Sequence, residues 1–501
     1  MTDPGVVLSD KLQWIRESMF FFVPELVLTV GILIILIVGL TYRFRKKPES
    51  TVVLYTLAII CLGSSLVYSI LNWDGYKNPV SIFNWMIRSD DFSWYLKLLF
   101  DIGGLLTVLM AFQKNSIAKY HSEFISLLFA VILGAHLLVM STNLVMVFLS
   151  LELISISSYV LSGFSFHKEG AEGSLKYFLF GSVASAVMLY GFSFFYGLTG
   201  TLEFSSNQFQ QGILNHQSYL LLLAGIFSLA GFLFKIAATP MHLWAPDVYE
   251  ASPMPVVALF SVVPKLAGFG VLLKFVLALS VFGQSSFSWQ FILGLISIIT
   301  ICVGNFAALK QKNPKRLMAY SSIAQSGFLL VGIVTFQKQG MHMMLYYASV
   351  FLIANFLVFA YLQFFEAHGV KSIDDFSGVG KKWPSQQIIL LVGFISLTGL
   401  PPTAGFMAKL FIFSSLWESY QYTGKTFLLW LLVIGLLNTV VSLFYYLKIP
   451  TLAFLKPGAA ESAKYLTWQN FFGLVMVLAL LFLFLLPDLL MGWINKINFV
   501  L

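Results

Sequence analysis

Six lysines of this 501-residue sequence stand inside long apolar stretches, where charged side chains are rare: Lys97, Lys176, Lys235, Lys265, Lys274 and Lys409. Inserting a lysine at the depth of a bilayer costs about 2.5–3.5 kcal/mol or more. Burial favours the neutral form of the amine, whereas a nearby carboxylate favours the charged form. A lysine held between these two influences can take up and release a proton, and this is the chemistry that the pattern indicates.

The strongest candidates are Lys235, Lys265 and Lys409, which lie deep within their apolar runs. Each could instead belong to a static ion pair or reach the membrane surface along its aliphatic stem. Packing alone hardly explains three deep lysines, so we predict that these three relay protons.

The other three lysines are weaker candidates. Lys97 and Lys176 lie near the ends of their apolar runs, where an ammonium group easily reaches the interface. We keep Lys176 as a secondary site and favour structural roles for Lys97 and Lys274. The carboxylates Glu25 and Asp101 are also expected to be structural.

Glu152 and His242 are the expected partners of the deep lysines. Glu152 is the only carboxylate in the middle of its apolar run, so it must be neutral or paired, and Lys235 is the expected partner. Changing the separation of this pair would gate proton release, although a permanent ion pair is the alternative. His242 falls between Lys235 and Lys265 along the chain; it could relay protons or be a hydrogen-bonded wall residue. We expect no role for His136.

The composition requires a lipid environment for these runs. The chain is 58% hydrophobic and 10% charged, against about a quarter charged in a soluble protein. Its net charge of +8 comes from bases in short breaks between apolar runs, so nucleic acid is not an expected partner. Cys61 and Cys302 are isolated, which argues against zinc, haem c or iron–sulfur centres.

The elements that must position the lysines are membrane helices, each needing about 20 apolar residues. That length predicts an all-α polytopic membrane protein with fourteen spans. The predicted spans are 20–42, 51–72, 92–113, 122–140, 143–165, 173–199, 218–245, 253–283, 289–310, 318–337, 341–368, 385–417, 425–450 and 469–492.

Loop charges predict the orientation of these spans. Breaks after odd-numbered spans hold seventeen Lys and Arg, whereas the other breaks and the termini hold seven. Because cytoplasmic loops are enriched in basic residues, both termini are expected on the opposite, periplasmic side.

Proline interrupts two of the spans. Four prolines lie between residues 240 and 255, and Pro401 and Pro402 fall within the twelfth span. Since proline removes a helical donor, we predict that the seventh and twelfth helices unwind near Thr239–Pro240 and Leu400–Thr403. Simple kinks are the alternative. Broken helices at corresponding places are typical of inverted-repeat transporters, with spans 4–8 and 9–13 as the repeats.

Four units follow from this reading. They are three N-terminal helices (1–121), a first five-helix repeat (122–283), a second (289–450) and a C-terminal helix (451–501). Each repeat is expected to form a proton half-channel.

The segment Lys235–Val256 resembles the signature of the proton-conducting membrane subunits of respiratory complex I, which are similar to Mrp-type antiporter subunits. Further matches are Ser150–Glu152, Val263–Lys265 and Gly399–Lys409, and the resemblance covers nearly the whole chain. The run Asp-Val-Tyr-Glu at 247–250 is typical of N-type subunits, where the L, M and Mrp types usually read Asp-Ala-Met-Glu.

This resemblance implies roles for the charged residues. Glu152 would be the ion-pair glutamate, Lys235 its switching partner, Lys265 the central relay and Lys409 the terminal lysine. Lys176 would be a secondary lysine near the cytoplasmic side.

The resemblance also implies which complex, neighbouring subunits and membrane this chain belongs to. The chain would be a subunit of a proton-translocating NADH:quinone oxidoreductase, coupled to quinone reduction elsewhere, with K-, M- and J-type subunits as neighbours and no cofactor of its own. The membrane would be the cell inner membrane or an organellar energy-transducing one. The alternatives are a subunit of an Mrp-type sodium/proton antiporter and a non-conducting membrane scaffold.

Overall fold

A computed structural model describes residues 16, 18–46, 48–73, 79–112, 120–216, 219–280, 287–457 and 468–499. The predicted span ends at 113, 218 and 281–283 lie outside these residues, as does the N-terminal segment 1–15. So do several lysines of the orientation argument: Lys11, Lys47, Lys77, Lys114, Lys119 and Lys464.

Helices dominate the described chain. In order they are α1 (Val23–Phe44), α2 (Thr51–Leu71), α3 (Asp91–Ala111), α4 (His121–Met140), α5 (Leu144–Ser162), α6 (Lys168–Thr199), α7 (Asn207–Asn215), α8 (Tyr219–Ile236), α9 (Trp244–Ala251), α10 (Met254–Leu279), α11 (Trp289–Leu309), α12 (Pro314–Val334), α13 (Lys338–Ala367), α14 (Val379–Lys382), α15 (Pro384–Thr398), α16 (Ala404–Thr423), α17 (Thr426–Leu455), α18 (Trp468–Leu485) and α19 (Pro487–Ile494).

The all-α polytopic prediction is confirmed. Twelve described helices are long and apolar enough to cross a membrane, and α18 with α19 makes thirteen candidate spans. The predicted twelfth span is divided between α15 and α16, and counting it gives the fourteen predicted. The predicted C-terminal span, 469–492, is divided between α18 and α19, and the chain bends by 79° between them, where Pro487 cannot extend the preceding helix.

A β-hairpin interrupts the polar connector before α3. Strands β1 (Val80–Ile82) and β2 (Ile87–Ser89) pair antiparallel. Ile82 and Ile87 pack on Met140 at the end of α4, so the hairpin covers one end of the N-terminal helices.

Helix α10 lies at the centre of the molecule. Apolar side chains lie on every side of this helix, as expected for a helix surrounded by protein, and nearly all of its residues are buried. It packs against α3, α4, α5, α8, α12 and α13. Lys265 on this helix is therefore held among other helices, away from lipid.

The predicted break of the seventh helix is confirmed between α8 and α9. The chain leaves helical geometry after Ile236 and resumes it at Trp244. Freed backbone groups find side chains, as membrane-buried backbone must: the Trp244 indole donates to the carbonyl of Phe234 at 3.0 Å, and the Thr239 amide donates to Thr300 Oγ1 at 3.0 Å.

The predicted break of the twelfth helix is confirmed between α15 and α16. Gly399 ends α15 in a left-handed conformation, with φ of +87°, which a glycine adopts without steric cost. Helix α16 begins at Ala404. The carbonyls of Leu397 and Thr398, at the end of α15, are left for side chains of neighbouring helices.

Candidate functional site

Lys235 is buried at the C-terminal end of α8, with 2% of its surface exposed. Its ammonium group donates to Ser155 Oγ on α5 at 3.1 Å. Ser155 is three residues after Glu152, which places both on one helix face. The Glu152 carboxylate accepts a hydrogen bond from Ser185 on α6.

The expected direct ion pair between Glu152 and Lys235 is therefore not formed in this structure. Lys235 reaches a hydroxyl one turn further along α5, and Glu152 is satisfied from α6 instead. Ser155 is therefore the hydrogen-bond partner of Lys235, and Ser185 is that of Glu152.

Lys265 is 1% exposed and contacts α12. Its Nζ donates to Ser322 Oγ at 2.6 Å, to the Ser322 carbonyl at 3.2 Å and to Ser326 Oγ at 3.4 Å. Ser326 in turn donates to the carbonyl of Ile236 at 2.7 Å, the backbone group beside Lys235. Hydrogen bonds therefore link the break of the seventh helix to Lys265.

Lys409 lies at the other break and is 5% exposed. Its Nζ donates to the Thr398 carbonyl at 2.7 Å and stands 4.6 Å from the ring centre of Phe328 on α12. The side chain also lines a surface cleft of about 520 Å³, which includes Trp417 and Glu418. This lysine is therefore close both to the polar interior and to an opening.

Gln325 connects the surroundings of Lys265 with those of Lys409. It lies on α12 between Ser322 and Ser326, and its Nε2 donates to the Leu397 carbonyl at 3.0 Å. That carbonyl precedes the one bound by Lys409. Adjacent residues of α12, Gln325 and Ser326, therefore bind the ends of the two broken helices.

Hydroxyl groups surround this amide. Tyr347 donates to Gln325 Oε1, Gln325 Nε2 also lies 3.2 Å from the Tyr446 hydroxyl, and Tyr446 is bonded to Ser321. Polar side chains therefore cluster around Gln325, one turn along α12 from the Ser322 that Lys265 contacts.

Sequence reasoning missed this polar face of α12. Its signal was present in the run Ser321-Ser-Ile-Ala-Gln-Ser326 within an apolar span, since polar side chains at membrane depth are rare and usually face a partner. None of these residues is ionisable, so the positions of charged residues alone do not indicate this polar face.

Lys176 lies outside this interior line. Its side chain is 42% exposed and pairs with Glu172 at 2.9 Å and Asp247 at 3.2 Å. Asp247 also binds Arg316 at 2.7 Å. Burial alone would raise the pKa of Asp247, but hydrogen bonds from Arg316 and Lys176 outweigh it and lower this pKa. Lys176 belongs to a surface ion-pair network beneath the broken helix.

His242 lies in the break but bonds to neither lysine in this structure. The imidazole is partly buried, and its Nδ1 has no hydrogen-bond partner among the described residues. Ser326, rather than His242, links the break of the seventh helix to Lys265. The relay role of His242 stays a prediction.

Comparison with known proteins identifies relatives of this chain. A family model described as NADH:quinone oxidoreductase/Mrp antiporter, TM matches residues 141–435. NADH-quinone oxidoreductase subunit N of Anaeromyxobacter sp. (strain Fw109-5) is 36% identical over 471 residues, 89% of each chain. Its counterpart from Chlorobium chlorochromatii is 34% identical over 96% of each chain.

Solved structures agree on the fold. A chain of respiratory complex I from Thermus thermophilus with bound aureothin has a TM-score of 0.77 at 28% identity, covering 95% of this chain and 100% of that one. A chain of the Mrp complex from Dietzia sp. DQ12-45-1b has a TM-score of 0.80 at 18% identity, covering 95% and 96%, which supports the fold alone. By the family model and by its identity to subunit N proteins, this chain belongs to the family of antiporter-like membrane subunits of NADH:quinone oxidoreductases and Mrp antiporters.

Proposed function

We propose that this chain conducts protons through Lys235, Lys265 and Lys409, as the N-type membrane subunit of an NADH:quinone oxidoreductase. Quinone reduction in other subunits would drive the movement. The chain itself would hold no redox cofactor.

One observation carries this proposal: α12 connects both broken helices beside their lysines. Ser326 binds the carbonyl next to Lys235 and also contacts Lys265, while Gln325 binds the carbonyl next to the one held by Lys409. Proton transfer needs groups within hydrogen-bond reach, directly or through a water. Lysines and hydroxyl groups can pass protons, and the freed carbonyls can hold bridging water, so this arrangement meets that need far better than an apolar core.

In this scheme Glu152 controls the first lysine. When the Glu152 carboxylate lies close to Lys235, it keeps the lysine protonated. When the carboxylate bonds to Ser185 instead, as in this structure, Lys235 can pass its proton toward Lys265. Lys409 would release protons through the cleft beside Glu418. Lys176 would gather protons at the cytoplasmic face.

The family and the charges of the loops support a proposal for the neighbouring subunits and the orientation in the membrane. We propose that K-, M- and J-type subunits are the neighbours and that both termini face the periplasm of the cell inner membrane. The helices of 122–283 and 289–450 would be the two half-channels, since each unit is broken in its fourth span.

Glu152→Gln should lower proton pumping roughly tenfold, equivalent to about 1.4 kcal/mol in one step. The variant keeps the side chain's shape and loses the charge that retains a proton on Lys235. Pumping is measured in proteoliposomes containing the assembled complex, with quinone reduction followed separately. Glu169→Gln, on the exposed start of α6, is the matched control. Unchanged pumping in an assembled Glu152→Gln complex would remove the carboxylate from the mechanism.

The alternatives predict different outcomes. An Mrp-type subunit would copurify without quinone-reducing subunits and would move sodium against protons. A scaffold would tolerate neutral residues at all three deep lysines.

A further inference from the structure

Four ionisable side chains meet inside the N-terminal helices, away from the lysine relay. They are Glu25 on α1, Lys97 and Asp101 on α3, and His136 on α4. All four are 0% exposed. Lys97 lies near the end of its apolar run, yet its charge is matched by Glu25 inside the helices.

The contacts within this cluster are direct. Lys97 Nζ lies 2.8 Å from Glu25 Oε1, and His136 Nδ1 lies 3.1 Å from the same oxygen. On the other side of the ring, His136 Nε2 lies 3.3 Å from Asp101 Oδ1, and Asp101 Oδ2 accepts a hydrogen bond from Ser65 at 2.7 Å. The imidazole therefore stands between two carboxylates.

Some polar atoms of the cluster have no hydrogen-bond partner among the described residues. Glu25 Oε2 is one of them, and Asp101 Oδ1 and His136 Nε2 face each other at 3.3 Å as an ion pair without hydrogen-bond geometry. Buried polar atoms without partners are uncommon in folded proteins and call for an explanation.

Charge balance decides how many protons the cluster holds. With a neutral His136, two carboxylates face one ammonium group, which leaves one uncompensated negative charge in a dry interior. With a protonated His136 the four charges cancel. Because an uncompensated buried charge is strongly unfavourable, the cluster requires one proton beyond that on Lys97.

Two charged side chains on the surrounding elements, Lys274 and Arg88, pair with Asp90 and not with this cluster. Lys274 on α10 donates to the Val139 carbonyl, one turn from His136, but pairs with Asp90 at 2.9 Å. Arg88 on β2 lies 3.7 Å from the same carboxylate. The sequence of α2 holds no Asp, Glu, Lys, Arg or His; its titratable side chains are Tyr55, Cys61 and Tyr68. The other charged side chains on elements packed against α4 are Arg43, Asp91, Glu152 and Lys265. The two carboxylates in direct contact with the ring dominate its environment, because Coulomb energy falls with distance.

We propose that Glu25, Lys97, Asp101 and His136 form a second proton-binding site, which holds one proton on His136 and exchanges it during turnover. None of these residues belongs to the relay of the proposed function. Only the pumping measurement below depends on that function.

The direct test separates the histidine's proton from the cluster's structure. Asp101→Asn leaves Lys97 and Glu25 balanced, so His136 should become neutral. The double variant Glu25→Gln with Lys97→Met removes a balanced pair and leaves Asp101, so His136 should stay protonated. Infrared spectra of the assembled complex, with isotope-labelled histidine, would report the histidinium band. Loss of one histidinium in the first variant and its retention in the second is the expected result; the same band in both would overturn the proposal.

The pumping test asks whether that proton exchanges. His136→Gln with Asp101→Asn is charge-balanced and cannot hold the proton, whereas Glu169→Gln, on the exposed start of α6, leaves all four side chains of the cluster in place. We expect the first to pump at least severalfold more slowly and to lose one inflection of the pH profile that the second retains. Equal pumping and equal pH profiles in the two assembled variants would reduce the cluster to a structural role. Lys265→Gln, measured in parallel, reports on the relay independently, so failure of either proposal can be recognised.

Discussion

Lys265→Gln is expected to abolish proton movement through this subunit, with pumping falling about a hundredfold, the scale typical of removing one proton-transferring group. The glutamine amide can still donate to Ser322 Oγ, which Lys265 Nζ contacts at 2.6 Å, so the packing of α10 on α12 is preserved. What is lost is the ability to accept and release a proton at the centre of the line.

The measurement is proton pumping against quinone reduction in proteoliposomes of the assembled complex. Lys381→Gln is the matched control, since Lys381 lies exposed in α14. A Lys265→Gln complex that assembles and pumps at the wild-type rate would contradict a relay through α10.

Lys409→Gln is expected to have an effect of similar size, about a hundredfold, for a different reason. The amide can replace the hydrogen bond to the Thr398 carbonyl, which Lys409 Nζ donates at 2.7 Å, so the break of the twelfth helix keeps its partner. Protons arriving past Gln325 would then find no titratable side chain at the break of the twelfth helix.

Lys312→Gln, an exposed lysine between α11 and α12, controls for loss of positive charge. Lys409→Ala adds a second comparison, because it also leaves the Thr398 carbonyl without its donor. If Ala impaired assembly while Gln pumped normally, Lys409 would be a structural cap of the break rather than a relay.

The helix breaks could be predicted because their causes are local. Proline at 240 and at 401–402 removes helical donors, and Gly399 supplies the left-handed residue that ends α15. The deep lysines were equally visible, since a charge within an apolar run is costly wherever the helix is placed.

The sequence could not predict which side chains meet between helices that are far apart along the chain. Glu152 and Lys235 were expected to touch, yet each finds a serine instead. Lys97 is near the end of its apolar run in sequence, but α1 brings Glu25 against it. These pairings depend on helix rotation, which the uniformly apolar sequence of such spans specifies only weakly.

The central claim is that protons cross from Lys265 to Lys409 through the polar face of α12. Proton pumping by Gln325→Leu tests it most directly, because leucine of similar size removes the amide between the two lysines. Gln363→Leu is the matched control: this second buried amide, on α13, donates to the Met110 carbonyl at 3.1 Å, off the line. We predict that Gln325→Leu pumps at least about tenfold more slowly than Gln363→Leu in equally assembled complexes. Equal pumping by the two variants would contradict the claim.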